Sequence, residues 1–257
     1  MTNINKIMKA FKFFLIIPVF LLGCKDSAEE KTVTPKGSQS TLTSLPSGGG
    51  KANGKVVLGE GGGSLNIDGI TWDVNLTAGA GGQADEAIIG ISDSQAQELE
   101  GELVIPDEID GIAVNVIGQA AFMGANQVTS VVLPVSTTRI GNAAFYNNSS
   151  LENVTIPNGV THIEDAAFYN CTSMEAIVIP ASVTNIGPRA FADCKNLTSI
   201  TFLGEPPQLD TESSQFHGTQ AWVYYNPDFE GWEKVGERFG NRPIRALSRE
   251  ELMRRLD

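Results

Sequence analysis

The sequence predicts a solenoid of stacked coils, predominantly β, with short helical or 3-10 turns. Three observations carry this. Phe122, Phe145, Phe168 and Phe191 recur at intervals of 23 residues. Ile117, Ile140, Ile163 and Ile186 recur at the same interval, as do the pairs Ala120-Ala121, Ala143-Ala144 and Ala166-Ala167, which become Arg189-Ala190 in the fourth copy. Each copy also places an apolar residue before proline: Ile105-Pro106, Leu133-Pro134, Ile156-Pro157 and Ile179-Pro180. Several columns in one register over Leu103 to Ser199 mark a repeat architecture whose units bury a shared core only when stacked. About four to five coils of 23 residues are expected, between N- and C-terminal caps.

The unit follows from its pattern. In Leu151 to Pro157, Val154 and Ile156 alternate as in a half-buried strand, and Leu151 joins them inside. Pro157 ends the strand because it has no N–H for the ladder. Val160 and Ile163 form a second inward pair. Ala166, Ala167 and Phe168 read as a helical or 3-10 turn. The proline interval before the second copy is 28 rather than 23, so copy one carries five extra residues around Glu108 to Ala113.

The run I-P-x-x-V-T-x-I-x-x-x-A-F-x-x-C, at Ile156 to Cys171 and Ile179 to Cys194, resembles the BspA-type (Treponema pallidum-type) leucine-rich repeat. Leu103 to Phe122 resembles the opening repeat of such proteins, and Ala221 to Leu247 their closing segment. The resemblance covers about residues 101–247. It implies a right-handed leucine-rich-repeat solenoid of the α/β class, and a non-catalytic adhesion or binding module for host matrix protein or another cell.

Ahead of the repeats the chain changes character. Lys6, Lys9 and Lys12 precede an apolar run from Phe13 to Leu22, too short to span a bilayer. The run ends in Leu21-Leu22-Gly23-Cys24, which resembles a bacterial lipobox, with Cys24 as the lipidated residue. Either Met1 or Met8 gives the same signal. Residues 1–23 are thus read as a lipoprotein signal peptide, and two or more acyl chains on Cys24 hold the mature protein at a membrane. Lys25-Asp26-Ser27-Ala28-Glu29-Glu30 resembles the surface-export signal of Bacteroidetes lipoproteins, which implies an outer-membrane lipoprotein at the cell surface. The same stretch also reads as a plain acidic tether.

Residues 24–55 are rich in Ser, Thr, Gly, Pro and Lys and read as a disordered tether. Residues 56–100 read as an N-terminal β cap, with strands at Ile70 to Leu76 and Glu86 to Ile91 around the glycines at 79–82. Those glycines and the cluster at 59–63 lack a following Gly-Lys-Ser/Thr, so turns explain them better than phosphate binding. Residues 101–203 hold the repeats, which are expected to stop where Leu203 replaces the proline. Residues 204–247 read as a C-terminal cap plugged by Trp222, Tyr224, Tyr225, Phe229, Trp232 and Phe239. Residues 248–257 read as a short helix or tail, with Ser248 and Glu251 as a capping box.

Function is sought in the outward columns. On the first strand these are Thr129, Ser130, Glu152, Asn153, Thr155, Glu175, Thr198 and Thr201. On the second they are Thr138, Thr161 and Thr184 with Arg139, His162 and Asn185. The columns read either as a ligand face or as a structural β ladder, since threonine is a good strand former. Cys171 and Cys194 share one column, as buried thiols or as a disulfide across about 5 Å. The only histidines, His162 and His217, form no recognisable catalytic set, so no enzyme, cofactor or metal is called for. The chain's formal net charge of −12 opposes nucleic acid. The partners expected are a membrane through Cys24 and a protein ligand. Alternatives are a glycan held on Trp222 or Trp232, or a structural envelope role.

Overall fold

The computed structural model describes residues 63–67, 69–78, 84–109, 112–209 and 214–256. The signal peptide, Cys24, the tether and the glycines at 59–62 and 79–82 lie outside the described residues.

Three antiparallel strands open the fold: β1 (Gly63–Ile67), β2 (Ile70–Ala78) and β3 (Ala84–Ile91), followed by a single helical turn, α1 (Asp93–Ala96). Coils then carry strands on two sides. The first side holds β4 (Glu100–Val104), β7 (Gln127–Val132), β9 (Asn153–Thr155), β11 (Ala176–Ile179), β13 (Ser199–Phe202), β15 (Trp222–Tyr225) and β17 (Arg242–Ala246). The second side holds β6 (Ile112–Ile117), β8 (Arg139–Ile140), β10 (His162–Ile163), β12 (Asn185–Ile186) and β14 (Gln208–Leu209). β3 pairs in parallel with β6, so the antiparallel strands cover that end of the second sheet. The extra residues of copy one form β5 (Glu108–Ile109), antiparallel to β6.

The repeats do not stop at Leu203. β14 pairs with β12, β15 with β13, and β17 with β15, all in parallel. Seven first-side strands therefore replace the four to five coils expected. The period was obscured because the step from Phe191 to Phe216 is 25 residues rather than 23, and because tyrosine and alanine replace the Ile-Pro marker.

The core is a set of ladders. Phe122, Phe145, Phe168 and Phe191 stack with ring centroids 5.3 Å apart at each step and planes within 13° of parallel. Trp72 closes one end edge-on at 6.1 Å, and Phe216 continues the other at 6.0 Å. Ile117, Ile140, Ile163 and Ile186 form a parallel buried column.

The third side corrects the expected helical turns. Ala120, Ala143, Ala166 and Arg189 lie in the left-handed region, at φ of 52–55°. A left-handed residue with a Cβ costs roughly 1–2 kcal/mol. A main-chain ladder offsets that cost. The N–H groups of Ala143, Phe145 and Asn147 donate to the carbonyls of Asp165, Ala167 and Tyr169 in the next coil, at 2.8–2.9 Å. Gly124, Asn147, Asn170 and Asp193 form a second left-handed column at the same period, filled by the residue types that tolerate it.

Cys171 and Cys194 are free buried thiols. The Cys171 S–H donates to the Phe145 carbonyl at 3.3 Å, and the Cys194 S–H to that of Phe168 at 3.0 Å. Burial pushes the Cys171 thiol well above the ordinary range, and the neighbouring Cys194 adds to this.

The aromatic plug is also smaller than expected. Trp232 and Phe239 are buried against Phe202, and Tyr225 stacks on Trp232 at 4.6 Å. Trp222 points outward instead, 47% exposed. It heads the outward column Ser130, Asn153, Ala176, Ser199, which the period assigns to the surface.

Candidate functional site

The second-side threonines serve the ladder. The hydroxyls of Thr138, Thr161 and Thr184 donate to the carbonyls of Asn115, Thr138 and Thr161, one coil back, at 3.1–3.2 Å. Their own N–H groups donate to the same carbonyls. Arg139 sits 3.7 Å from Glu164, and His162 Nδ1 lies 2.9 Å from the Thr161 hydroxyl. Asn185 is half-buried beside them. Arg139, His162 and Asn185 open β8, β10 and β12, and the three threonines directly precede them on the second side.

On the first side, Thr129, Glu152, Asn153, Thr155, Glu175 and Thr198 are exposed and Ser130 is half-buried. Thr201 is 2% exposed, although its column faces outward. It lies on the part of the face where the C-terminal helix, α2 (Arg249–Leu256), folds back. Arg255 donates to the Ser199 hydroxyl at 2.8 Å, and its guanidinium sits 3.7 Å over the Tyr224 ring. Leu252 is buried beneath the helix. The helix starts on a reciprocal capping box. The Ser248 N–H donates to Glu251 Oε2 at 2.9 Å, and the Glu251 N–H donates to the Ser248 hydroxyl at 3.2 Å. The Ser248 backbone bond, then the Ser248 side chain, hold the Glu251 carboxyl below the usual glutamate range.

Between β9 and β11 the first-side ladder is broken. β4, β7 and β9 form one sheet; β11, β13, β15 and β17 belong to another, and no ladder joins them among the described residues. Val154 is half-buried there, while Val131 and Ile177 in the same column are each 3% exposed. A cleft of about 400 Å³ opens at the break. Its apolar lining is Val154, Ile156, Ile177, Val178, Pro180 and Leu203; Asn153, Thr155 and Asn158 add neutral polar groups, and Arg255 forms a wall. Asn153 and Thr155 were legible as outward residues. Arg255 was not, because nothing in a ten-residue charged tail announces where it docks. A second hollow of about 370 Å³, between β2 and α1, is lined by Thr71, Asp73, Ser92, Ser94, Gln95 and Glu98, and lies off the repeat face.

A stacked tyrosine pair marks the third side. Tyr146 and Tyr169 lie 4.8 Å apart, and the Tyr169 hydroxyl donates to Asp193 at 2.5 Å. That bond raises the Tyr169 pKa, with desolvation adding to it. Each ring covers one face of the other, so the pair is a structural ladder rather than an open platform.

Residues 112–220 match the BspA type leucine rich repeat region in six copies. The repeats belong to that family. Among solved structures, the T. pallidum leucine rich repeat protein shares 25% identity with this chain, over 59% of this chain and 68% of its own, at a TM-score of 0.50. A leucine rich cell surface protein from Faecalibacterium prausnitzii shares 23%, over 66% of this chain and 40% of its own, at 0.49. The pneumococcal vaccine antigen PcpA shares 17%, over 74% of this chain and 45% of its own, at 0.48. No curated protein matches. Proteins built from these repeats are in general binding or adhesion modules and typically not enzymes.

Proposed function

We propose that this protein is a surface lipoprotein of the outer membrane, anchored through Cys24, whose BspA-type solenoid binds a protein partner through the outward face of its first-side strands. One observation carries the reading: that face is open over β7, β9 and β11 and indented by the cleft, while α2 occupies it further along. The exposed side chains there are small and polar, which suits modest affinity multiplied by many copies on a cell surface. No catalytic step is assigned to it.

A second reading, a glycan-binding accessory lipoprotein, is favoured by Trp222 alone, an exposed ring on the same face. Trp232 cannot serve it, being buried with its indole N–H donating to the Gly204 carbonyl at 2.9 Å.

Cells carrying the protein would first be shaved with protease, then tested for adhesion to matrix proteins and glycans. The proposal expects repeat peptides to be released without lysis. It also expects adhesion to fall on changing Asn153 and Thr155 together to Arg. Loss on Trp222→Ala, with competition by free sugars, would shift the assignment to glycan. Repeats protected from protease on intact cells would overturn the surface placement.

A further inference from the structure

We propose that the first-side face from β4 to β11 docks a cationic amphipathic helix of the protein partner, with lysines or arginines along one margin and aliphatic side chains along the other. This rests on the binding role proposed for that face and names the partner's chemistry.

The chain is polarised in charge along the solenoid. Residues 63–188 carry fifteen Asp and Glu against a single Lys or Arg, Arg139. Residues 189–257 carry eleven against nine. Arg139 lies on the second side, 3.7 Å from Glu164. None of β4, β7, β9 and β11 contains a basic residue. A field of one sign over so much of the repeat array draws a partner of the opposite sign and speeds its arrival.

The face separates its acids from its aliphatic side chains. Glu152 and Glu175 are exposed one residue ahead of β9 and β11, at the same place in successive coils. Glu100 and Glu102, both exposed, extend this acidic margin to β4, where Glu102 lies opposite Ser130. Along the other margin Val104 lies opposite Val132, Val132 opposite Thr155, and Val178 follows by the 23-residue period. Val132 is 44% exposed, and Val104 and Val178 are half-buried. The cleft beside Val178 deepens this apolar margin.

A helix suits such a face better than a strand. β4, β7 and β9 commit their main-chain groups to one another, so an approach from outside meets side chains. A strand laid there would find no ladder, whereas a helix pairs its own N–H and C=O groups. The same face already carries one helix further along. α2 crosses it with Leu252 buried beneath and Arg255 on Ser199 and Tyr224. Ser199 follows Ala176 in the row of Glu102, and Tyr224 follows Thr201 and Val178 in the row of Val132. Adjacent strands lie about 4.8 Å apart, so β4 to β11 spans roughly 14 Å, the length of about ten helical residues. Glu100 and Glu102 favour the amino end of the docked helix over β4, and Arg255 favours its carbonyl end beside α2.

The test is fluorescence anisotropy with three labelled peptides of about eighteen residues, added to the full chain at low salt. The first sets Lys and Leu on adjoining helical margins with Ala elsewhere. The second replaces each Lys by Glu, and the third scrambles the first so that no apolar face forms. The first is expected to bind at least tenfold tighter than either of the others and to weaken as salt rises. Glu152→Lys with Glu175→Lys should lower its affinity at least tenfold. Val132→Ser should lower it severalfold with the acids in place. Glu205→Lys with Glu237→Lys, the same charge change at exposed positions beyond β13, should lower it less than threefold. Equal binding of the scrambled peptide, or equal loss from both glutamate pairs, would reduce the face to diffuse charge and overturn the proposal. Full competition by an equimolar free peptide of residues 24–62 would give the face to the chain's own lysine-bearing segment and overturn it too. No peptide binding with adhesion to matrix proteins retained would sink the helix and spare the binding role. No peptide binding and no adhesion to any matrix protein or glycan would sink both.

Discussion

Replacing Phe145 by alanine should cost the fold about 3–5 kcal/mol. The ring is fully buried and stacked on both faces, against Phe122 and Phe168 at 5.3 Å. Its removal deletes the transfer free energy of the side chain and leaves a hole that the neighbouring rings cannot close. Those rings are pinned by coil spacing, because the Phe145 N–H donates to the Ala167 carbonyl at 2.8 Å and the Phe168 N–H to that of Ala190 at 2.7 Å. Against a typical domain stability of about 5–15 kcal/mol, such a loss removes a large fraction of the total. At about 2–4 °C per kcal/mol for a domain of this size, the melting temperature should fall by roughly 6–20 °C. The assay is urea and thermal unfolding of the full chain followed by far-ultraviolet circular dichroism. Val135→Ala serves as the control; Val135 is 80% exposed, and its change should stay within about 0.5 kcal/mol. A Phe145→Ala cost below about 1 kcal/mol, or one equal to the control, would refute the stacked core.

Three further outcomes follow from local geometry. Gly240→Ala should destabilise the last coil by about 1–3 kcal/mol, since φ is +54° and the new Cβ would sit 2.5 Å from the Phe216 ring; the melting temperature reads it. α2 should loosen in acid. The folded Glu251 pKa is lowered, so its contribution is complete above the ordinary glutamate range and lost as pH falls through the lowered value. Faster proteolysis after Arg254 and Arg255 at low pH, abolished as a pH effect by Glu251→Gln, checks this. Cys171 and Cys194 should resist a neutral-pH thiol reagent in the folded chain and react fully in denaturant, because both are buried and burial raises the Cys171 pKa.

The sequence made the core legible because buried columns tolerate few residue types. Phe, Ile and the Ile-Pro marker repeat where rings stack, strands pair and strands end. Two features escaped for physical reasons. The alanine pairs read as helix formers, yet the first of each pair takes a left-handed turn that is held by hydrogen bonds to the next coil, and a single sequence does not display those bonds. The last coils kept their pairing while losing their markers, because Phe202, Tyr225 and Phe239 fill around Trp232 in ways a 23-residue template does not anticipate. The candidate site was half visible. Outward positions follow from the period of two, so Asn153 and Thr155 were within reach. The break between β9 and β11 and the return of Arg255 are tertiary events with no local signature.

Hydrogen exchange on the full chain tests the open cleft most directly. Amides in residues 153–156 and 176–179 should include a fast class, exchanging at least tenfold faster than those of residues 130–132 and 199–202. The second-side amides of the same coils should stay protected. Uniform protection across all first-side strands would mean that the ladder is closed, and the site built on its opening would fall.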